Sequence, residues 1–238
     1  MNDRWQEMIS ENLASSSIPG FKKQELSFGA VSAGQLPTTT NGQPSDPTNF
    51  SLSQATAATN FSQGAFKYTG GATDVALEGP GFFEVQLPNG NKAYTRDGEF
   101  HINGVGQIVT KEGFLVMTSS GPVQIDRQNP AEVSISSTGE ISQGVASYGS
   151  LRVIDFKNPQ ALTPITSGYF VSNDPKTLGA EGAGNGFRQG YLETSNTSPV
   201  HEMVNLIGSM RSFEANQKVI QLQDDRMGKA IQTLGKVS

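Results

Sequence analysis

Apolar residues near the start of the chain recur at the spacing of a helix. Trp5, Met8, Ile9 and Leu13 lie three or four residues apart, which places them on one helical face. Ile18-Pro19-Gly20 follows and disfavours continuation of that helix. Because so short a helix is marginal alone in water, its apolar face predicts a packing partner.

A longer apolar repeat occupies the end of the chain. Ser198-Pro199 supplies a helix cap and a first-turn proline, and no proline follows. From Leu206, alternating steps of four and three residues reach apolar residues at seven of nine positions, with Gln217 and Asp224 as the exceptions. The seven apolar residues, called the seam, are Leu206, Met210, Phe213, Ile220, Met227, Ile231 and Leu234. This spacing is typical of a coiled coil, and a helix packed on its own domain is the alternative.

Between the two helical segments the pattern changes to short alternating runs. Phe82–Leu87 and Lys92–Thr95 flank Pro88-Asn89-Gly90-Asn91, which predicts a hairpin because Asn-Gly accepts the positive φ angles of a tight turn. Similar runs follow at 100–102, 107–110, 114–117, 133–135, 140–142, 151–156 and 168–171. These runs predict an all-β domain of short antiparallel strands.

The combined patterns predict an α+β chain with a helix at each end, the C-terminal one with coiled-coil spacing, and a central all-β domain of short antiparallel strands. The connector before that domain is identified by composition, since Asp46 is the only charged residue between Glu25 and Lys67. The predicted segments are an N-terminal helix and Gly-Phe-Lys turn at 1–25, an extended polar connector at 26–68, the β domain at 69–195 and the C-terminal helix at 196–238.

Charge and composition exclude several classes of function. The 238 residues carry a formal net charge of −5, which creates no basic field for nucleic acid or an anionic membrane. The chain contains no cysteine, so disulfides, thiolate nucleophiles and cysteine-ligated metals are excluded. No apolar run reaches the roughly 20 residues of a membrane helix, and the N-terminus lacks the layout of a cleaved signal peptide. We expect no nucleic-acid partner and no membrane insertion.

Candidate chemistry is equally sparse. His101 and His201 lie in different regions and form no metal-ligand pattern. Asp97 and Glu99 are expected to be ordinary solvated carboxylates beside a turn. The glycine-rich stretch at 179–190 matches no phosphate-binding pattern. The sequence therefore predicts no catalytic residue, no metal site and no cofactor.

Five stretches of the chain carry a resemblance to a known family. Near the N-terminus they are Glu11-Asn12-Leu13-Ala14 and Gly20-Phe21-Lys22-Lys23-Gln24, and in the β domain Thr73–Phe83 and Tyr94–Phe100. The C-terminal stretch contains Ser195-Asn196, Val200, Glu202–Ile207, Arg211, Phe213–Asn216 and Lys218–Ile220. In this order they resemble the bacterial flagellar axial proteins, the rod and hook subunits, over nearly the whole chain.

The resemblance implies a structural subunit of the basal-body rod that is not an enzyme, closest to the proximal rod subunit, with the distal one second. In that family the terminal helices pair into an inner tube around the export channel. The implied partners are other copies, neighbouring rod and hook proteins, and the flagellar type III export apparatus. The implied location is the periplasmic rod, reached without a cleaved signal. The implied assembly residues are Asn12, Leu13, Gly20 and Phe21 together with the seam.

Other interpretations stay open at this point. A cell-wall or carbohydrate-binding β module with a self-packed C-terminal helix would use Tyr94, Phe100 or Tyr148 as stacking platforms. An enzyme acting on cell-wall polymer would need Asp97 or Glu99 in a cleft. Only eleven residues precede Asn12, where the family usually has a longer helix. This predicts either a shortened inner helix or a start inside the natural chain.

Overall fold

The structure is a computed structural model that describes residues 2–36, 39–40, 43–44, 48–166, 168–173, 178–181 and 184–234. Side chains are described throughout these ranges except at 2–3, 27–36, 39–40, 43–44, 48–55, 178–181 and 230–234. The chain divides into two units. The terminal unit contains Met1–Leu13, Gln24–Ala58 and Pro199–Ser238, and the β unit contains Ala14–Lys23 and Thr59–Ser198.

The helices of the described residues are α1 (Asn2–Ala14) and α2 (Pro199–Leu234), and Pro159–Ala161 forms a 3₁₀ turn. The strands of the terminal unit are β1 (Gln24–Leu36), β2 (Thr39–Thr40), β3 (Gln43–Pro44) and β4 (Thr48–Thr59, which ends at the first residue of the β unit). The strands of the β unit are β5 (Phe66–Tyr68), β6 (Val75–Glu78), β7 (Phe82–Gln86), β8 (Lys92–Thr95), β9 (His101–Ile102), β10 (Ile108–Val109), β11 (Leu115–Thr118), β12 (Gly121–Pro122), β13 (Val133–Ile135), β14 (Glu140–Gln143), β15 (Ala146–Ser150), β16 (Val153–Phe156), β17 (Leu162–Thr166), β18 (Tyr169–Ser172), β19 (Leu178–Glu181), β20 (Gly186–Gln189) and β21 (Tyr191–Glu193).

The predicted hairpin at 82–95 is confirmed and lies at the centre of the largest sheet. β7 and β8 pair antiparallel, with Phe83 opposite Thr95 and Gln86 opposite Lys92. Gly90 has a φ of 83°, and the Asn89 side chain accepts a hydrogen bond from the backbone N–H of Asn91. β7 also pairs with β11 and β16, so this one strand joins the two halves of the sheet.

The remaining antiparallel pairs extend the β unit around this sheet. β17, β18 and β8 are neighbours on one side, and β11, β10 and β9 on the other. β13, β14 and β15 form a separate three-stranded meander. Two further pairs, β6 with β20 and β5 with β21, join segments more than a hundred residues apart in sequence. The predicted α+β chain with short antiparallel strands is therefore confirmed, whereas pairing of the terminal helices stays a prediction.

Two apolar clusters hold the β unit together. The larger one packs side chains from most strands, including Val75, Phe83 and Ile141, all fully buried. In the smaller one aromatic rings meet edge to face, as with Phe82 against Phe156 at 5.7 Å between ring centroids. Such contacts add to the free energy of apolar burial. The β unit thus has its own core.

The segment predicted as a connector contains strands in both units. β1 and β4 pair with each other in the terminal unit, and β5 pairs with β21 in the β unit. Residues 20–23, predicted as part of the N-terminal segment, belong to the β unit. The stretches at 37–38, 41–42 and 45–47 lie outside the described residues.

Candidate assembly surface

The seam of α2 is exposed over most of its described length. Met210 is 53% exposed, Phe213 39%, Ile220 58% and Met227 68%. Leu206 is half-buried, and the side chains of Ile231 and Leu234 lie outside the described residues. Large apolar side chains in water are unfavourable by about 25 cal/mol per Å² of apolar surface. From Met210 to Met227 the apolar residues of the seam are therefore not covered by the chain itself.

The first turns of α2 show which side of the helix is covered within the chain. Glu202 and Ser209 are buried and Leu206 is half-buried, and these three residues are called the buried stripe of α2. Steps of four and three residues lead from this stripe to Phe213, on the same side of the helix. The exposed seam therefore lies on the same side of α2 as the residues that are buried in its first turns.

The apolar face predicted for α1 corresponds to its buried side. Met8 and Ile9 are buried, while Trp5 and Leu13 are half-buried. Asn12 is also buried, and its side-chain amide forms two hydrogen bonds with the backbone of Gln24, at 2.8 and 2.9 Å. This reciprocal pair imitates a backbone pairing and fixes the chain where β1 begins. Asn12 therefore has a structural role within the chain.

Gly20 and Phe21 lie inside the β unit. Gly20 has a φ of +67°, and a Cβ atom there would lie 2.3 Å from the backbone carbon of Arg96. Its N–H donates a 2.7 Å hydrogen bond to the backbone oxygen of Glu193. Phe21 is buried. Only glycine allows this close approach, so the Gly-Phe turn joins the start and end of the β unit. A role of these two residues in assembly stays a prediction.

A buried ion cluster lies beside this turn. The Lys22 ammonium donates to the Glu193 carboxylate, and both side chains are fully buried. Arg96 contacts the other carboxylate oxygen of Glu193 at 3.4 Å, and its second terminal nitrogen donates to the backbone oxygen of Gly79 at 2.6 Å. Burial lowers the pKa of Lys22 and of Arg96, and the Glu193 carboxylate opposes this effect. These groups are called the ion cluster.

Sequence reasoning missed the ion cluster. Lys22 and Arg96 occur in two of the quoted family stretches, but Glu193 lies 171 residues from Lys22 in sequence. Charged residues are almost never fully buried unless paired, so a lysine inside a Gly-Phe-Lys turn was the available signal.

Asn196 holds three chain segments together next to the ion cluster. Its side-chain oxygen accepts a hydrogen bond from the backbone N–H of Lys23 at 2.8 Å. Its side-chain nitrogen donates to the backbone oxygens of Asn60 and Ser62 at 2.8 and 3.1 Å. The segments at 21–23, 60–62 and 193–196 are thereby fixed at one place in the β unit.

Asp97 is buried, so the expectation of a solvated carboxylate was wrong. Its side chain accepts a 2.9 Å hydrogen bond from the backbone N–H of Glu99, and only 7% of the residue is exposed. Burial raises the pKa of Asp97 to about 7, and the carboxylates of Glu99 and Glu112 act in the same direction. Lys111 opposes the rise. The Asp-Gly turn suggested exposure, but tertiary packing covers it.

Asp97→Asn is expected to change how stability depends on pH. The unfolded carboxyl loses its proton near 3.8, whereas the folded one keeps it until about 7. The native state thus binds more protons across this window, and the unfolding free energy of the natural chain falls as the pH rises through it. The variant should equal the natural chain near pH 4 and exceed it by a few kcal/mol above pH 7. Urea unfolding at both pH values measures this, and identical pH profiles would contradict it.

The stacking platforms of the carbohydrate-binding alternative are not available. Tyr94 and Phe100 are buried, with Tyr94 against Phe156 and Phe100 against Phe83. Tyr148 is half-buried, and its hydroxyl donates to Gln143. These aromatic side chains pack within the β unit, so the residues named in the carbohydrate-binding interpretation are not free to stack on a sugar.

Among the described residues no three acidic or histidine side chains converge where they could hold a metal ion. Neither described helix is long and apolar enough to cross a membrane.

Comparisons with known proteins match both ends of the β unit and α2. The family model described as the flagellar hook protein FlgE/F/G D1 domain matches residues 76–143. The one described as the flagellar basal body rod FlgEFG protein C-terminal region matches residues 188–233, which includes β21 and most of α2.

Similar proteins match nearly the whole chain. The flagellar basal-body rod protein FlgG of Buchnera aphidicola subsp. Baizongia pistaciae is 34% identical, over 93% of this chain and 91% of that protein. The FlgG protein of Borreliella burgdorferi is 32% identical over 93% and 90%, and the FlgF protein of Caulobacter vibrioides 31% over 98% and 92%. The chain therefore belongs to the FlgE/F/G family and is a structural subunit of the bacterial flagellar basal-body rod.

Proposed function

We propose that the seam of α2 is covered in the rod by helices of other copies and of neighbouring rod and hook proteins, so that the terminal helices pair as a coiled coil. The exposure of Met210, Phe213, Ile220 and Met227 is the observation that carries this proposal. A helix whose partner lay within the chain would bury such a repeat. The 3.5-residue spacing fits knobs-into-holes packing with a second helix.

The two polar residues that interrupt the seam fit the same proposal. Gln217 and Asp224 occupy the two remaining positions of the same repeat and are exposed. Polar residues inside a coiled coil lower its stability, but they restrict which register and partner are accepted. A seam of limited affinity helps a subunit to avoid aggregation before it is incorporated into the rod.

Export and location are part of the proposal. The relatives are rod proteins by name, and the resemblance implies passage through the flagellar type III apparatus without a cleaved signal. A helix that lacks its partner can stay unfolded or loose during passage and fold when neighbours supply apolar surface. The periplasmic part of the basal body is then the final location.

Export is tested by blocking one secretion route at a time. Protein recovered from isolated basal bodies is expected to retain its N-terminal residues by intact mass. Cells with an inactive flagellar export apparatus should keep the protein in the cytoplasm, whereas inhibition of the general secretion pathway should leave its export unchanged. The reverse dependence, or a shortened N-terminus in the rod, would contradict the proposal.

A further inference from the structure

The sulfur atoms of this chain that an oxidant can reach are concentrated on α2. The chain contains six methionines and no cysteine, so oxidation of sulfur falls on methionine thioethers alone. Among the described methionines, Met203, Met210 and Met227 are 51, 53 and 68% exposed. Met8 is buried and Met117 is half-buried. The three exposed residues are called the α2 methionines.

The α2 methionines lie on the side of the helix that carries the seam. Met210 and Met227 are seam residues. Met203 lies three residues before Leu206, which is one further step of the same repeat. In the proposed function a partner helix covers this side of α2 only on assembly. The three thioethers are therefore exposed to a dissolved oxidant before assembly and shielded from it afterwards.

Oxidation would change the character of this surface. Hydrogen peroxide transfers one oxygen atom to the thioether sulfur, which loses two electrons and forms an S–O bond, while the O–O bond of the peroxide breaks and water leaves. The resulting sulfoxide is polar, and its burial without a hydrogen-bond partner is unfavourable. Two of the nine repeat positions from Leu206 onwards are already polar. Sulfoxides at Met210 and Met227 would leave only five of the nine apolar.

We propose that the α2 methionines are oxidation sites that control assembly. A peroxide converts them to sulfoxides in the unassembled subunit, and the modified α2 is no longer incorporated into the rod. This inference rests on the proposed function, in which the seam is covered only on assembly. Because sulfoxide reductases restore the thioether, the block is reversible.

Peptide mass spectrometry of the full chain after hydrogen peroxide treatment tests the sites themselves. In dilute protein we expect sulfoxide to form several-fold faster at the α2 methionines than at Met8 and Met117. In isolated basal bodies the α2 methionines should react several-fold more slowly than in dilute protein. Equal rates at all five residues in dilute protein would overturn this inference. Equally fast oxidation of the α2 methionines in dilute protein and in rods would contradict the proposed function as well.

A leucine variant tests whether oxidation at these sites controls assembly. Met203→Leu, Met210→Leu and Met227→Leu are combined, because leucine keeps the apolar character and nearly the volume of methionine but contains no sulfur. Cells that form new flagella during a sublethal peroxide treatment should incorporate several-fold more of this variant into basal bodies than of the natural chain. Met117→Leu is the matched control and should remain as sensitive as the natural chain. Equal losses for the triple variant and the natural chain would overturn the inference.

A glutamine variant gives a second test without an oxidant, and it decides the question if the leucine variant does not assemble. Met210→Gln with Met227→Gln places polar side chains of similar length in the seam and should lower incorporation several-fold. Ser212→Gln, exposed on a different side of α2, should not. Normal incorporation of the double glutamine variant would overturn this inference. The proposed function fails as well only if Phe213→Asp also assembles normally.

Discussion

Phe213→Asp is expected to abolish motility and to leave the β unit folded. Phe213 lies in the exposed part of the seam, where a new carboxylate is tolerated as long as the chain is alone. In an assembled coiled coil the same carboxylate would be buried without a partner, which is strongly unfavourable. Ile220→Asp should act in the same way. Swimming in soft agar and the amount of subunit in isolated basal bodies measure the effect.

Ser212→Asp is the matched control, one residue away on a different side of α2 and exposed. It should leave swimming intact, because a charge there stays in water. Urea unfolding of the purified Phe213→Asp variant should agree with that of the natural chain to within about 0.5 kcal/mol. Normal swimming of cells that produce the Phe213→Asp or Ile220→Asp variant would count decisively against a covered seam.

Glu193→Gln is expected to destabilise the β unit by about 3–5 kcal/mol, the usual loss when one partner of a buried ion pair is removed. The change keeps the shape of the side chain but leaves Lys22 and Arg96 buried without their shared carboxylate. It also weakens the acceptor of the Gly64 N–H, which lies 2.8 Å from Glu193. Chemical unfolding monitored by the signal of the β unit measures the loss.

Two further variants complete this test. Glu132→Gln changes an exposed carboxylate of the same unit and should shift the unfolding free energy by no more than about 0.5 kcal/mol. Adding Lys22→Met to Glu193→Gln removes one of the uncompensated cations, so part of the lost stability should return. A loss below about 1 kcal/mol for Glu193→Gln would show that the ion cluster contributes little.

Local signals were sufficient for the helices and for the central hairpin. The 3.6-residue spacing of Trp5, Met8, Ile9 and Leu13 identified α1 together with its buried side. Asn89-Gly90 identified the turn between β7 and β8 because its chemistry is contained within four residues. A long segment with one strong period, or a turn with a specific residue requirement, can be predicted from its own sequence alone.

Contacts between distant segments could not be predicted in this way. β6 pairs with β20, and Lys22 with Glu193, but neither segment contains information about its partner's position. Asp97 was expected in water since Asp-Gly favours turns, and the structure buries that turn. The resemblance implies a role of Gly20 and Phe21 in assembly, and that role stays a prediction. Within the chain the Gly-Phe-Lys stretch closes the β unit, and this contact could not be predicted because the residues that surround the stretch come from three separate parts of the sequence.

The seam illustrates what a pattern does and does not determine. Its spacing predicted that one side of α2 would be apolar, and the structure shows that side exposed from Met210 to Met227. The spacing alone allowed both a partner in the same chain and a partner in another. The exposure of these side chains favours a partner in another chain. For this reason we propose that α2 carries the assembly function of this subunit.

Hydrogen exchange of the full chain, measured in dilute solution and again in assembled rods, tests the central claim most directly. Amide protection reports local stability. In dilute protein we expect the amides of residues 210–229 to exchange rapidly while those of β7 and β8 remain protected, and in rods we expect α2 to become protected as well. Protection of residues 210–229 in dilute protein as strong as that of β7 would contradict the claim, because the seam would then have its partner within the chain.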